Sequence, residues 1–287
     1  MDLTPTVETL SDISDSALHH YGVDGVPYPS VPELRDIVEL CRAVLFPGYF
    51  GKSVVDGGVK YHIGVGLERI YEKLRKQVMA GLAFTSANDS EALSQFQQEA
   101  NRKAQSFIEQ LPQLRDLLQT DVVAMYRNDP AAHNLGEVIL CYPGMRAITN
   151  YRIAHAIELL EVPLIPRMIT ELAHSETGID IHPGATIGHS FAIDHGTGVV
   201  IGATAILGHN VTLYQGVTLG AKNFPQEEDG TLVKGIARHP ILGDNVVVYA
   251  NATILGRIHI GDGSTIGGNI WLTHDVPAGT KLFYKAQ

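Results

Sequence analysis

The chain has 287 residues, 45% hydrophobic and 18% charged, the balance of a globular protein rather than a disordered or fibrous one. A net charge of −10 excludes a general nucleic-acid or acidic-membrane surface, and no apolar run is long enough to cross a bilayer. Cys41 and Cys141, without any zinc spacing, exclude a disulfide scaffold. The N-terminus, MDLTPTVETLSDISDS, lacks the basic flank and apolar core of a secretory signal, so the cytoplasm is the expected location.

From about Val31 to Glu171 the patterning is helical. VPELRDIVELCRAVLF starts with a proline suited to a first helical turn and spaces Leu34, Ile37, Val38 and Cys41 on one face. GLERIYEKLRKQVMAGL does the same with Leu67, Ile70, Tyr71 and Leu74. Asp89-Ser90 is a candidate cap for a helix that Pro112 is expected to end. LRDLLQTDVVAMYRNDP follows, with Asp129-Pro130 as its stop. MRAITNYRIAHAIELLEVP and IPRMITELAHSETG complete the helical part, with Gly178 as a left-handed cap and His155 as a packing or interface residue.

Beyond Gly178 the period changes. Aliphatic residues recur every sixth position at Ile181, Ile187 and Ile193, slip by two, and resume at Ile201, Leu207, Leu213 and Leu219. The beat returns at Leu242, Val248, Ile254, Ile260, Ile266 and Leu272. Neither a helix nor an ordinary strand has a period of six, but short strands joined by tight corners do, each sixth residue pointing to the axis of a stacked coil. Small residues four places on, at Ala185, Thr197, Ala205, Ala252 and Ser264, suit crowded corners. The reading is α+β: a helical domain over 1–176 followed by a β-solenoid over 177–287, with a polar loop inserted at about 221–239. With no low-complexity linker between them, the two parts are expected to pack together.

Four segments carry chemistry: IDIHPGATIG, IDHGTGVVIGATA, QGVTLGA and RHP. In this order, behind a helical region, they resemble the signature segments of the serine O-acetyltransferases, over roughly Asp121 to Pro277. The resemblance implies a left-handed parallel β-helix of hexapeptide repeats that forms trimers, or dimers of trimers, with active sites between neighbouring prisms. It implies acetyl-CoA and L-serine as substrates, no metal, and direct transfer in a ternary complex at the first step of cysteine biosynthesis.

The same resemblance assigns roles. His195 would be the base for the serine hydroxyl and Asp180 the carboxylate that orients it, with His239 a second histidine near the reacting group. Asp129 and Asp194 would hold the substrate ammonium. Arg238 would grip its carboxylate, where a guanidinium fork donates two parallel bonds. Backbone N–H groups at Gly220 and Ala221 would meet the developing oxyanion, and Ala250 and Gly268 would let the pantetheine arm lie close to backbone. His182 reads as structural, bonding its own turn; Lys222 and Lys234 read as solvated loop charges; Tyr249 and Trp271 point outward.

Relatives dock a C-terminal isoleucine into O-acetylserine sulfhydrylase, and Gln287 does not fit that pattern. Two alternatives remain open: acetylation of another hydroxyl, such as homoserine or a sugar, and a γ-carbonic-anhydrase-like zinc site. The second requires three converging histidines, and none of the 13 falls into closely spaced ligand positions.

Overall fold

The computed structural model describes residues 1–12, 23, 25–51, 58–85, 93–223 and 225–284; the candidate cap Asp89-Ser90 and Gln287 lie outside them. Seven helices among the described residues precede the solenoid: α1 (Thr4–Ser11), α2 (Val31–Leu45), α3 (Val59–Thr85), α4 (Leu93–Asn128), α5 (Leu135–Cys141), α6 (Pro143–Glu158) and α7 (Ile165–Thr177). Ser30 caps α2 by accepting the Glu33 N–H, and Gly178 closes α7 at φ 70°. Among the described residues no helix is long and apolar enough to cross a membrane.

Two helices differ from expectation. Pro112 does not end a helix but sits inside α4. Phe107, Leu111, Leu114 and Leu118 continue one buried stripe across it, and burying several such side chains outweighs the roughly 3 kcal/mol that an interior proline costs. The short α5, capped by Asn134, was not anticipated because its seven residues are too few for a readable period.

Fourteen strands follow among the described residues: β1 (Asp180–Ile181), β2 (Thr186–Ile187), β3 (Ala192–Asp194), β4 (Val200–Ile201), β5 (Ile206–Leu207), β6 (Thr212–Tyr214), β7 (Thr218–Gly220), β8 (Ile241–Leu242), β9 (Val247–Val248), β10 (Thr253–Leu255), β11 (His259–Ile260), β12 (Thr265–Ile266), β13 (Trp271–Leu272) and β14 (Lys281–Leu282). They stack in parallel as three faces, β1-β4-β7-β10-β13, β2-β5-β8-β11 and β3-β6-β9-β12-β14, which make a left-handed triangular prism. All thirteen residues of the six-residue beat lie on strands and are buried. The inserted loop enters between β7 and β8, where Thr218 pairs with Thr253 without any break in the stack.

Four of the five expected corner residues, Ala185, Ala205, Ala252 and Ser264, are buried, whereas Thr197 is exposed. The two-residue slip lengthens that corner, and Val199, two places before Ile201, takes the inward position. The second corner of each coil is closed by residues in the left-handed region: Ser190, Asn210 and Asn245 at φ 56–59°, and Gly263. A side-chain ladder climbs the same edge, His209 Nδ1 accepting from His189 N–H (3.2 Å), Asp244 from His209 N–H (2.7 Å) and Asp262 from Asp244 N–H (2.9 Å).

The helical part closes the open end of the prism. β2 directs its N–H groups into the stack, leaving carbonyls facing outward with no coil beneath. Side chains of α6 take their place. His155 Nδ1 bonds Pro183 O (2.7 Å), Tyr151 OH donates to Ala185 O (2.6 Å), and Arg152 donates to Ile187 O and Gly188 O (both 2.6 Å). Arg152 is held in turn by a bidentate pair with Asp121 of α4 at 3.1 Å, both side chains being buried. Asp121 also accepts the Phe191 N–H at 2.9 Å. Burial pushes the Asp121 carboxyl upward, and Arg152 with the Phe191 N–H opposes that by stabilising the charge.

Removing one partner of such a pair leaves an uncompensated buried charge. Arg152→Met is therefore expected to destabilise the chain by about 3–5 kcal/mol, and a urea titration followed by circular dichroism reads the lowered midpoint. A midpoint unchanged from the unsubstituted protein would show that the latch is dispensable.

Candidate active site

Apart from Asp180, the catalytic and binding residues singled out from the sequence gather along two edges of the prism. The first edge joins the third face to the first. Asp194 ends β3, and His195 follows at φ 54°, a left-handed conformation that costs a non-glycine residue energy. Gly196 then turns at φ 89°, where a Cβ would come within 2.4 Å of Ile179 Cδ1, so only glycine allows this close approach. The His195 ring is 76% exposed, with Nε2 3.8 Å from Asp194 Oδ1.

Asp129, just past α4, joins the same edge. Its Oδ1 accepts the Ala131 N–H (2.8 Å), and its Oδ2 accepts the Tyr142 hydroxyl (2.5 Å). Tyr142, together with the Ala131 N–H and the nearby His195, holds the Asp129 carboxyl below its ordinary range, while the phenol is pushed up. Asn128, Asp129, Tyr142, Asp194 and Thr212 line a narrow cleft with Met125 and Ile193 at its base. Two carboxylates and a tyrosine hydroxyl around one cleft suit a small ammonium group.

Above His195 the edge becomes small and close to backbone. Asp194 pairs with Tyr214, whose ring stacks on Tyr249 at 4.9 Å. Ala250 and Gly268 follow in successive coils, Asn269 N–H donating to Ala250 O at 2.9 Å. A Cβ on Gly268 would sit 3.1 Å from that same carbonyl, so the pair leaves a shallow track of exposed main chain.

The second edge joins the first face to the second. His239 lies flat over Gly202, where an added Cβ would come within 2.0 Å of the imidazole. Thr204 donates to His239 Nδ1 through its N–H (3.1 Å) and its hydroxyl (2.8 Å), and accepts the N–H groups of Arg238 (2.9 Å) and His239 (3.2 Å). Because a backbone N–H can only donate, Nδ1 carries the lone pair, and the proton of the neutral ring is on Nε2. Burial, then Arg238, His182 and Arg257, lower the His239 pKa, so the ring is a neutral donor rather than a cation.

Arg257 braces the RHP segment by donating to Thr204 O (2.6 Å) and His239 O (3.0 Å). Lys222, Arg238 and Arg257 line a basic groove of about 340 Å³ beside the end of β7. There Gly220 packs against Leu255, and among the described residues the Ala221 N–H has no acceptor. His182 bonds its own turn, its Nδ1 accepting the Gly184 N–H at 3.0 Å. Lys234 is exposed on the inserted loop.

Asp180 stands between the edges, on β1. The chain brings its neighbour Ile179 against the His195 corner, yet Asp180 Oδ1 accepts from Arg167 Nη1 at 3.2 Å, and Asp194 is the carboxylate within 4 Å of the His195 ring. Asp180, Glu171 and His174 converge closely enough to hold a cation. The Arg167 guanidinium already lies among them, paired with both Glu171 and Asp180.

Sequence reasoning missed Tyr142, Thr204 and Arg257. Tyr142 had a readable signal in its position just before Pro143, at the mouth of a helix facing Asp129. The other two work through backbone contacts that only the coil register creates.

No family model matches the chain. A plasmid-borne serine acetyltransferase of Synechococcus elongatus is 47% identical over 97% of this chain and 89% of its own length. The serine acetyltransferase of Bacillus subtilis is 45% identical over 56% of this chain and 70% of its own. Among solved structures, serine acetyltransferase 1 of Entamoeba histolytica, crystallised with L-cysteine, superimposes with a TM-score of 0.76 at 36% identity, covering 92% of this chain and 91% of that one. With the fold, the two edges and a full-length relative in agreement, the chain belongs to the serine acetyltransferase family.

Proposed function

We propose that the first edge of one protomer and the second edge of a neighbour together form one acetyl-transfer site. The chain is a serine O-acetyltransferase: the serine hydroxyl takes the acetyl group of acetyl-CoA, giving O-acetylserine and CoA for cysteine biosynthesis. The observation that carries the two-edge reading is the separation of charge. Asp129 and Asp194 stand on one edge, Arg238 and Arg257 on the other, and a prism face of roughly 15–20 Å lies between. Serine needs both signs within its own short length, so one prism alone cannot hold it. A ring of three copies, each presenting its first edge to the next copy's second edge, closes the gap with a single repeated contact. Val200, Tyr249 and Trp271, exposed on or beside that face, are apolar surface of the kind such a contact covers.

In this site Asp129 and Asp194 bind the serine ammonium, and Arg238 of the neighbour binds the carboxylate. A sugar offers neither group. His195 takes the hydroxyl proton as Oγ attacks the thioester carbon, and Asp180 orients the imidazole from the adjoining strand. His239, a neutral Nε2–H donor, steers the substrate oxygen and is not a base. The free Ala221 N–H meets the developing oxyanion. When the C–S bond breaks, the proton on His195 passes to the leaving sulfur. Acetyl-CoA lies along Ala250 and Gly268, with the basic groove at Lys222 and Arg257 near its phosphates. L-cysteine, which the Entamoeba relative binds, shares serine's charged groups and would compete at the same anchors. The two free cysteines suit a reducing cytoplasm.

His195→Ala is expected to lower kcat by about 10²–10⁴-fold while leaving the assembly intact; near-normal turnover would remove it as the base. Arg238→Lys is expected to raise the serine KM and leave acetyl-CoA binding largely unchanged, because lysine keeps the charge but loses the fork. A rise confined to acetyl-CoA would move Arg238 into the cofactor site. Shared sites predict complementation: His195→Ala and Arg238→Ala chains, unfolded together, refolded as mixed rings and assayed well below serine saturation, should recover about a quarter of the unsubstituted activity, since one edge pairing in four is intact. No recovery from mixed rings of the correct size would place both edges in one protomer's site.

A further inference from the structure

We propose that Gln215 is a catalytic residue whose side-chain amide donates to the thioester carbonyl oxygen as negative charge develops there. This rests on the site reading above and names a residue that reading leaves out.

The coil register locates it. Gly216 N–H donates to Thr197 O (2.9 Å) in the coil below, and Asn251 N–H donates to Gln215 O (2.9 Å) from the coil above. Gln215 therefore stands on the first edge directly between the His195 corner and Ala250. Its predecessor, Tyr214, pairs with Asp194, so the amide sits where the ammonium cleft ends and the track along Ala250 and Gly268 begins. The reacting carbonyl must lie in this interval, because the base is on one side and the thioester arm on the other.

The amide itself has no other task among the described residues. Its Oε1 is buried without a hydrogen-bond partner, and its Nε2, which reaches the surface, has none either. A glutamine placed for structure would pair its buried oxygen, as buried polar groups almost always do. Here the buried end is left unsatisfied and the donor end faces the edge. A side chain in that state is oriented in advance, and donating to a new oxyanion breaks no existing bond.

The step balances without a further reactant. The serine Oγ–carbon bond forms as His195 takes the hydroxyl proton, the carbonyl π pair moves onto oxygen between the Gln215 N–H and the neighbour's Ala221 N–H, and collapse expels the CoA sulfur, which takes the proton back from His195. Gln215 holds the oxygen and transfers no proton.

Two variants test this in the full-length assembled enzyme: Gln215→Met, of similar length without a donor, and Gln215→Glu, nearly isosteric with a negative charge facing the oxyanion. Each is assayed for kcat, for both KM values and for CoA affinity by calorimetry, with assembly size checked by light scattering. Expected is a fall in kcat of about 10²–10³-fold, the usual cost of one oxyanion donor, with KM values and CoA affinity within about threefold, the pattern of an interaction made only in the transition state. A kcat within about tenfold of the unsubstituted enzyme in either folded variant would overturn the proposal. So would a loss carried by the acetyl-CoA KM alone, which would make Gln215 a ground-state contact. His195→Ala, assayed in parallel, separates the two readings. If it keeps turnover, the edge is not the reaction centre and both fall; if it loses turnover while the Gln215 variants keep theirs, only Gln215's role is lost.

Discussion

A parallel solenoid ends in strands whose outer backbone groups have no next coil, and in this chain the helical part supplies their partners. Arg152 carries most of that duty, donating to the Ile187 and Gly188 carbonyls while Asp121 holds its guanidinium from α4. A buried pair of this kind gains only when its remaining hydrogen-bonding capacity is filled, and here the coil's own carbonyls fill it. The latch fixes the first coil, and the first coil carries Asp180, His182, Asp194 and His195. It also sets where α4 ends relative to β3, which brings Asp129 beside Asp194. The cleft between Asp129 and Asp194 is thus a by-product of closing the prism.

From that starting coil the stack copies its geometry upward. Each strand is two or three residues long, so a corner recurs in every coil at the same place, and a column of corner residues becomes a linear surface feature. One edge reads Asp194–His195, Tyr214–Gln215, Tyr249–Ala250 and onward to Gly268; the other carries His182, Gly202 under the His239 ring, and Gly220. The first changes from acidic to small and close to backbone, while the second is basic where Arg238 and Arg257 meet the inserted loop. A zwitterionic acceptor and a long phosphate-bearing donor need these four characters together. On a triangular prism a whole face separates the two edges, and the proposed site therefore takes its second edge from a neighbour.

The departures from expectation share one cause. Pro112 and Thr197 were both read from local signals, and the fold around each decided the outcome. Pro112 would end an isolated helix, but the buried stripe of α4 runs straight through it. Thr197 stands four residues after an inward isoleucine, but two extra residues at that corner turn it outward and give its place to Val199. Asp180, matched to His195 by its motif, also takes an ion pair from Arg167 of α7 at its Oδ1.

The sequence by itself determined the solenoid, its inward residues and its chemical motifs, because a six-residue period and short contiguous segments are local facts that no packing partner alters. Tertiary structure alone decided that Tyr142 holds Asp129, that Thr204 fixes the His239 tautomer, and that the amide of Gln215 is unpaired among the described residues. Asp129 and Tyr142 are 13 positions apart and Thr204 and His239 35, yet each pair meets within about 3 Å, and only the coil register and the helical latch set those distances.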